Sequence, residues 1–186
     1  MVFVTRNLSP EGAASGMEIR SVRPDDLDAV IEICQSDHVN RGTMRLPVEP
    51  RAWVEKRIKE VPGTYKMVAL RDGAVAGYGE LVTYPDFPRH WHVAEVEMIA
   101  THPDHRGAGV GQELLDRMID MADRWLQIRR LQLFVWTSNT SAIRLYESRG
   151  FRIEGTMKDF VFLDGAYADA HVMARLRPAP SSQDEG

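Results

Sequence analysis

The chain predicts a single mixed α/β (α+β) domain, a mixed and mostly antiparallel sheet flanked by helices. Three observations lead there. Short runs of alternating or apolar residues recur at strand length, two of them joined by the turn dipeptide Asp72-Gly73. Other segments repeat apolar residues at helical spacing, most regularly from Leu114 to Leu126. The chain has 186 residues, 44% hydrophobic and 27% charged, enough to bury one good core but hardly two.

The elements follow in order. Residues 17–22 alternate as a first strand, and Pro24-Asp25-Asp26 signals the start of a helix carrying Leu27, Val30, Ile31 and Cys34. Residues 38–49 read as a loop. Pro50 opens a second helix with Trp53, Val54, Arg57, Ile58 and Val61 at helical spacing, stopped by Pro62-Gly63. Strands are expected at 65–71 and 75–84, paired as a hairpin, and after a Pro-rich loop at 91–101. A helix from about Gly107 buries Leu114, Leu115, Met118, Ile119, Ala122, Trp125 and Leu126 on one stripe. Residues 130–137 form a parallel partner strand reached across that helix. A helix at 140–149 ends at Gly150, and strands around 151–162 and 166–176 close the sheet.

Residues 7–16 are small and polar, and 178–186 are rich in Pro, Ser and acid. A flexible lead at 1–16 and a disordered tail at 178–186 are therefore expected around a domain at 17–177. A net charge of −4 offers no broad basic field, which argues against nucleic acid or an anionic membrane surface as the main partner. No apolar run approaches the roughly 20 residues that span a bilayer, and the first residues lack a signal core, so a cytoplasmic location is expected. The single cysteine, Cys34, sits among Val30, Ile31 and Ile33 and reads as a buried hydrophobe. His90-x-His92 and His102-x-x-His105 have metal-like spacing but no convincing third ligand, so no metal is expected.

The most informative run is His105-Arg106-Gly107-Ala108-Gly109-Val110-Gly111, between a strand and a strongly periodic helix. It reads as a pyrophosphate cradle. Glycines let backbone approach a ligand closely, and a helix start presents unpaired N–H groups and a positive dipole end to anions. The run lacks G-x-x-x-x-G-K-[ST] and misses G-x-G-x-x-G, leaving R-x-x-G-x-G. Downstream, Asn139 to Phe151 reads N-x-x-A-x-x-L-Y-x-x-x-G-F. Together the two motifs resemble the GCN5-related N-acetyltransferase (GNAT) superfamily over residues 17–177. The segments Asp123-Arg124-Trp125-Leu126, Ile153-Glu154-Gly155-Thr156 and Gly165 to Ala170 with Met173-Ala174-Arg175 are similar to its bacterial L-amino acid N-acetyltransferases.

The resemblance implies the GNAT acyl-CoA N-acyltransferase fold and acetyl-CoA as co-substrate. Arg106 and the backbone from Gly107 through Ala108, Gly109 and Val110 to Gly111 would neutralise the diphosphate. Ile99, Ala100 and Thr101, counted back from Pro103, would offer a strand edge to the pantetheine amides, and a strand N–H near Ile99 or Ala100 would polarise the thioester. Asn139 either caps its helix or reaches the cofactor, and one residue can do both. Tyr146 holds the position of the family's general acid; its bland alternative is a packing tyrosine beside Leu145. Glu95 and Glu97, at strand spacing, are the candidates to take the amine proton, Glu95 being the better positional match. Both could instead face solvent or hold the substrate's ammonium.

Thr43, Met44, Leu46 and Trp91 are the candidate acceptor contacts. The loop Arg41 to Pro47 is amphiphilic: Met44 and Leu46 suit an apolar side chain, and Arg41 or Arg45 suits a carboxylate. The expected activity is direct acetyl transfer to a small-molecule amine, foremost a free L-amino acid, without an acyl-enzyme. Acetylation of a protein N-terminus or an antibiotic, or coenzyme A binding without turnover, are the alternatives. A homodimer is left open.

Overall fold

A computed structural model of the chain describes residues 16–48 and 50–177. The expected tail at 178–186 and the expected lead, Gly16 apart, lie outside the described residues. Seven strands form one sheet in the order β1-β2-β3-β4-β5-β7-β6. They are β1 (Met17–Ser21), β2 (Thr64–Arg71), β3 (Ala74–Thr83), β4 (Val93–Thr101), β5 (Arg130–Trp136), β6 (Arg152–Leu163) and β7 (Ala166–Leu176). Every neighbouring pair is antiparallel except β4 and β5. The mixed, mostly antiparallel sheet is the one the sequence predicts. Asp72 and Gly73 both take positive φ, 52° and 81°, the twist a two-residue hairpin needs.

Helices cover both faces. On one side lie α1 (Leu27–Gln35), α2 (Asp37–Gly42) and α3 (Arg51–Ile58), over a core with Val30, Ile33, Val54, Tyr78, Met98 and Ala100. Cys34 is buried there, as expected. On the other lie α4 (Val110–Arg124) and α5 (Thr140–Ser148), over a core with Leu114, Leu115, Met118, Leu131, Leu133 and Phe151. Ahead of α1, the buried Asp26 accepts both Arg20 guanidinium nitrogens at 2.7 and 2.8 Å and the Arg23 N–H at 2.7 Å. The Arg20 hydrogen bonds, followed by the Arg23 backbone bond, hold its carboxyl below the ordinary range against the cost of burial.

Three expectations are corrected. The loop at 38–49 begins instead with α2, six residues whose single apolar member, Val39, is too little for a periodic signal. The second helix stops at Ile58, short of Val61, because Pro62 disfavours helical backbone at the residue before it. Trp125 is not on the buried stripe. The helix ends at Arg124, Trp125 is exposed, and Leu126 alone turns back onto the core, both N–H groups bonding the Met121 carbonyl.

Where α4 crosses β3 the helix lies directly on glycines of the strand. A Cβ on Gly77 would stand 2.4 Å from Val110 Cγ1 and 3.1 Å from the Ala100 carbonyl, whereas on Gly79 the one close approach would be the flexible Met118 Cε, at 2.5 Å, with Leu114 and the Met98 carbonyl at an ordinary 3.5 Å. Valine is stiff and a backbone carbonyl is fixed, but a methionine tip swings away. Gly77→Ala is therefore expected to lose about 1–3 kcal/mol in urea unfolding and Gly79→Ala clearly less. Equal losses would remove the close approach of α4 as the reason for Gly77.

Candidate active site

The site is built where the sheet fails to close. β4 and β5 pair over three residues only, Val93 with Arg130, Ala94 with Leu131 and Glu95 with Gln132. Beyond that vertex β5 stays with β7 while β4 follows β3, and Glu97 is an extra residue: Val96 stands opposite Leu81 and Met98 opposite Glu80. Such a bulge reverses which side chains face which way. Ala94 and Val96 accordingly belong to the α4 core, and Met98 and Ala100 to the α1 core. The His102 N–H bonds the Ala76 carbonyl at 2.8 Å, so ladder alternation turns Ala100 and Met98 to β3 and leaves the backbone of Ile99 and Thr101 facing the gap. Ala100, expected to offer backbone to a ligand, instead contributes a buried side chain on the opposite face.

On the α4 face, Gly107 and Gly109 take φ of 75° and 83°, a region that favours glycine. Nothing lies within 4 Å of a Cβ on Gly107, while one on Gly111 would meet Ile99 and Thr101. The first helical bond is Glu113 N–H to the Gly109 carbonyl at 3.0 Å, so the N–H groups of Val110, Gly111 and Gln112 precede any helical partner. Arg106 is exposed beside them. Ahead of the loop, His102 Nδ1 accepts the Asp104 N–H at 3.2 Å, and the His102 and His105 rings lie 5.7 Å apart. The residues fit a diphosphate-bearing cofactor: open glycines, a cation and unpaired N–H groups at one helix start. Asn139 caps α5, its Oδ1 accepting the Ala142 N–H at 3.2 Å and the Ser141 hydroxyl at 3.1 Å. Tyr146 is half-buried with its ring 5.9 Å from Phe151, and its hydroxyl makes no hydrogen bond among the described residues. Burial pushes that phenol up to about 12, keeping it protonated at neutral pH.

On the opposite face a cavity of about 410 Å³ opens beside the vertex. Glu95 and Glu97 both border it. Glu95 Oε2 accepts the Tyr84 hydroxyl at 3.2 Å and Gln132 Nε2 at 3.1 Å. Burial first, and then the charge of Glu95, push the Tyr84 phenol up to about 12. Glu97 is raised by burial first, then by Glu95 and Glu80, against the pull of Arg57, whose Nη2 stands 3.8 Å away. Glu80 is itself buried, taking Arg57 Nε at 2.5 Å and the hydroxyl of the fully buried Tyr78. Two guanidiniums share one indole: Arg45 Cζ lies 3.9 Å and Arg57 Cζ 5.3 Å from the Trp53 ring centre. Phe134, Trp136 and Phe160 form an aromatic wall, with Phe160 stacked 5.8 Å from Phe134 and 6.0 Å from Trp136.

Of the expected acceptor contacts, Thr43 and Met44 line this cavity; Leu46 and Trp91 do not. Leu46 is exposed. Trp91 precedes β4, which starts at Val93 rather than 91, and its indole N–H bonds the Pro85 carbonyl while its ring faces outward. Arg41 is engaged outside by Asp37 and Asp164 and does not line the cavity; of the two loop arginines it is Arg45 that does. Sequence reasoning missed Arg57, Glu80, Tyr84, Gln132 and Phe160 as site residues. Gly155 to Val161 reads as plain strand, yet residues 158–160 stand opposite Asp169 alone, and that bulge delivers Phe160. Among the described residues no group of three His, Cys, Asp or Glu is placed to hold a metal, and no helix is long and apolar enough to cross a membrane.

Comparison with known proteins agrees with this geometry. Residues 27–151 match the acetyltransferase (GNAT) family model. The L-amino acid N-acetyltransferase AaaT of Escherichia coli K12 is 33% identical over 163 residues, 88% of this chain and 99% of that protein. The L-amino acid N-acyltransferase MnaT of the same organism is 30% identical over 84% of this chain and 92% of that one. The yncA protein of Salmonella typhimurium, solved with its cofactor acetyl-CoA, superposes with a TM-score of 0.74 at 26% identity, covering 92% of this chain and all of that one.

The open loop yields a direct test. Gly109→Glu would put a carboxylate where the diphosphate is to lie and a Cβ on a backbone at φ 83°. Acetyl-CoA is expected to raise the Tm of the parent and leave that of the folded variant unmoved, by binding linkage. Equal shifts would take the cofactor away from this loop.

Proposed function

Because the chain belongs to the GNAT acetyltransferase family, we propose that this acetyl-CoA-dependent N-acetyltransferase acts on a free L-amino acid with an apolar side chain. One observation carries the choice of acceptor. A single cavity presents a guanidinium (Arg45), two carboxylates (Glu95 and Glu97) and an aromatic wall, the complement of a carboxylate, an ammonium and an apolar side chain. The names of the two Escherichia coli relatives support the same class.

When bound, acetyl-CoA supplies the activated acetyl thioester. Arg106 and the amides from Gly107 to Gly111 hold the diphosphate, and Ile99 and Thr101 offer gap-facing backbone to the pantetheine arm. Asn139 has Oδ1 committed to its own helix, which leaves its Nδ2 donors for the cofactor. Tyr146 Oη holds a proton at neutral pH and delivers it to the departing thiolate. Glu95, fixed by Tyr84 and Gln132, draws in the ammonium. Glu97, held above the ordinary carboxylate range, takes the proton, directly or through water.

Two measurements check this reading. Across a panel of amino acids and the matching amines without a carboxylate, Arg45→Met is expected to raise KM about tenfold or more for the amino acids, with kcat little changed and the amines unaffected. A KM that rises equally for both sets removes Arg45 as the carboxylate anchor. The acid limb of kcat/KM reports the proton acceptor: activity is lost as pH falls through its raised value. Glu95→Gln removes a neighbouring negative charge, lowers Glu97 and is expected to move that limb to lower pH; Glu97→Gln is expected to abolish it. An acid limb that survives in Glu97→Gln gives the role to Glu95 or to solvent.

A further inference from the structure

Resting on the free-amino-acid reading above, we propose that α2 is a clasp across the open end of the β4–β5 gap, and that His38, Trp136 and Asp164 thereby restrict the acceptor to a single amino acid. The sequence pattern predicts loop from residue 38, and nothing in the cofactor chemistry requires a helix there. Its bonds show where it sits. His38 Nε2–H donates to the Thr101 carbonyl, at the end of β4, at 2.9 Å. Trp136 Nε1–H, at the end of β5, donates to the Arg41 carbonyl at 3.0 Å. Arg41 Nη1 reaches Asp164 in the β6–β7 turn at 2.5 Å. One short helix is tied to three separate strand ends, two of them the lips of the gap.

Six residues do not hold a helix by themselves, so these ties, with the buried Val39, set its position. The gap thereby changes from an open V into a closed ring, with the Glu95–Gln132 pair at the vertex, the two strands as sides and α2 across the top. The residues that leave α2, Gly42 to Arg45, are the rim of the acceptor cavity. At about 410 Å³ that cavity lies near the small end of ligand pockets, which run from roughly 300 to 1,000 Å³. A peptide acceptor adds about 3.3–3.6 Å of chain per residue beyond its first and must displace the rim to seat its amine. The His38 and Trp136 hydrogen bonds are each worth about 2- to 10-fold in the balance between a seated and a released α2, and the exposed Arg41–Asp164 ion pair about 1.4- to 5-fold. Loosening a tie opens the ring while the acidic pair and the phosphate loop stay in place.

The test is the ratio of kcat/KM for a dipeptide to that for the free amino acid of the same N-terminal residue, in parent, His38→Ala, Asp164→Ala and the double variant. The ratio is expected to rise about fivefold in His38→Ala, about twofold in Asp164→Ala and about tenfold in the double, with the acetyl-CoA-induced rise in Tm retained. An unchanged ratio, or equal loss on both acceptors, overturns the clasp, because a merely structural role would lower both alike. If His38→Ala does not fold, Asp164→Ala, altered only at the surface, carries the test alone. If the parent acetylates no free amino acid, the acceptor reading fails by itself; the clasp is then judged on the best small amine of the panel against the same amine extended by one residue.

Discussion

Two parallel strands that part after three residue pairs in the middle of a sheet are the constraint on which the site depends. A central strand ordinarily spends every N–H and carbonyl on its neighbours, and an unpaired backbone group away from water is costly. Here the bulge at Glu97 and the commitment of β5 to β7 leave the Ile99 and Thr101 edge open. The protein tolerates this because the opening is used from every side. His38 takes the Thr101 carbonyl, and the remaining edge stands beside the glycine loop and Tyr146 on one face and the acidic cavity on the other.

The parting also explains the density of charge around it. Glu80 and Arg57 are buried or nearly so, and such a pair contributes little net stability once desolvation is counted. Its value lies in geometry. Glu80 holds Arg57 beneath Trp53, Trp53 carries Arg45, and Arg57 at the same time faces Glu97. The cavity beside the vertex is therefore a chain of mutually fixed side chains from α3, β3, β4 and the loop after α2, none of which is aligned by backbone alone.

How much of this was legible in the chain follows from the range of each interaction. Strands and long helices show in periodicity, so the sheet and α4 were readable, as was the Gly107–Gly111 loop, whose meaning is local. The cap at Asn139 and the place of Tyr146 on α5 were readable from the residues around them, whereas their roles toward a cofactor remain part of the proposal. What escaped depends on register. No pattern shows that Glu97 is an extra residue, that residues 158–160 crowd opposite Asp169 to aim Phe160 inward, or that Gln132 lands beside Glu95. Trp91 looked promising because it stands among polar and Pro-rich neighbours, yet two residues decide whether it joins the strand or the loop. Short α2 escaped for a related reason: its stability comes from partners far along the chain.

The glycine at position 77 carries a consequence for how this protein would look to genetics. It touches no ligand, yet the first residue of α4, Val110, rests directly on its bare Cα, and Gly109 is the residue before. The height of the Gly107–Gly111 loop above the sheet is thus set by a missing side chain on β3, the strand next to the one that carries Glu95 and Glu97. A selection for loss of acetylation would score position 77 together with the loop glycines and so map the site too broadly. Only the comparison of folded yield with ligand affinity would tell the floor of the loop from the loop itself.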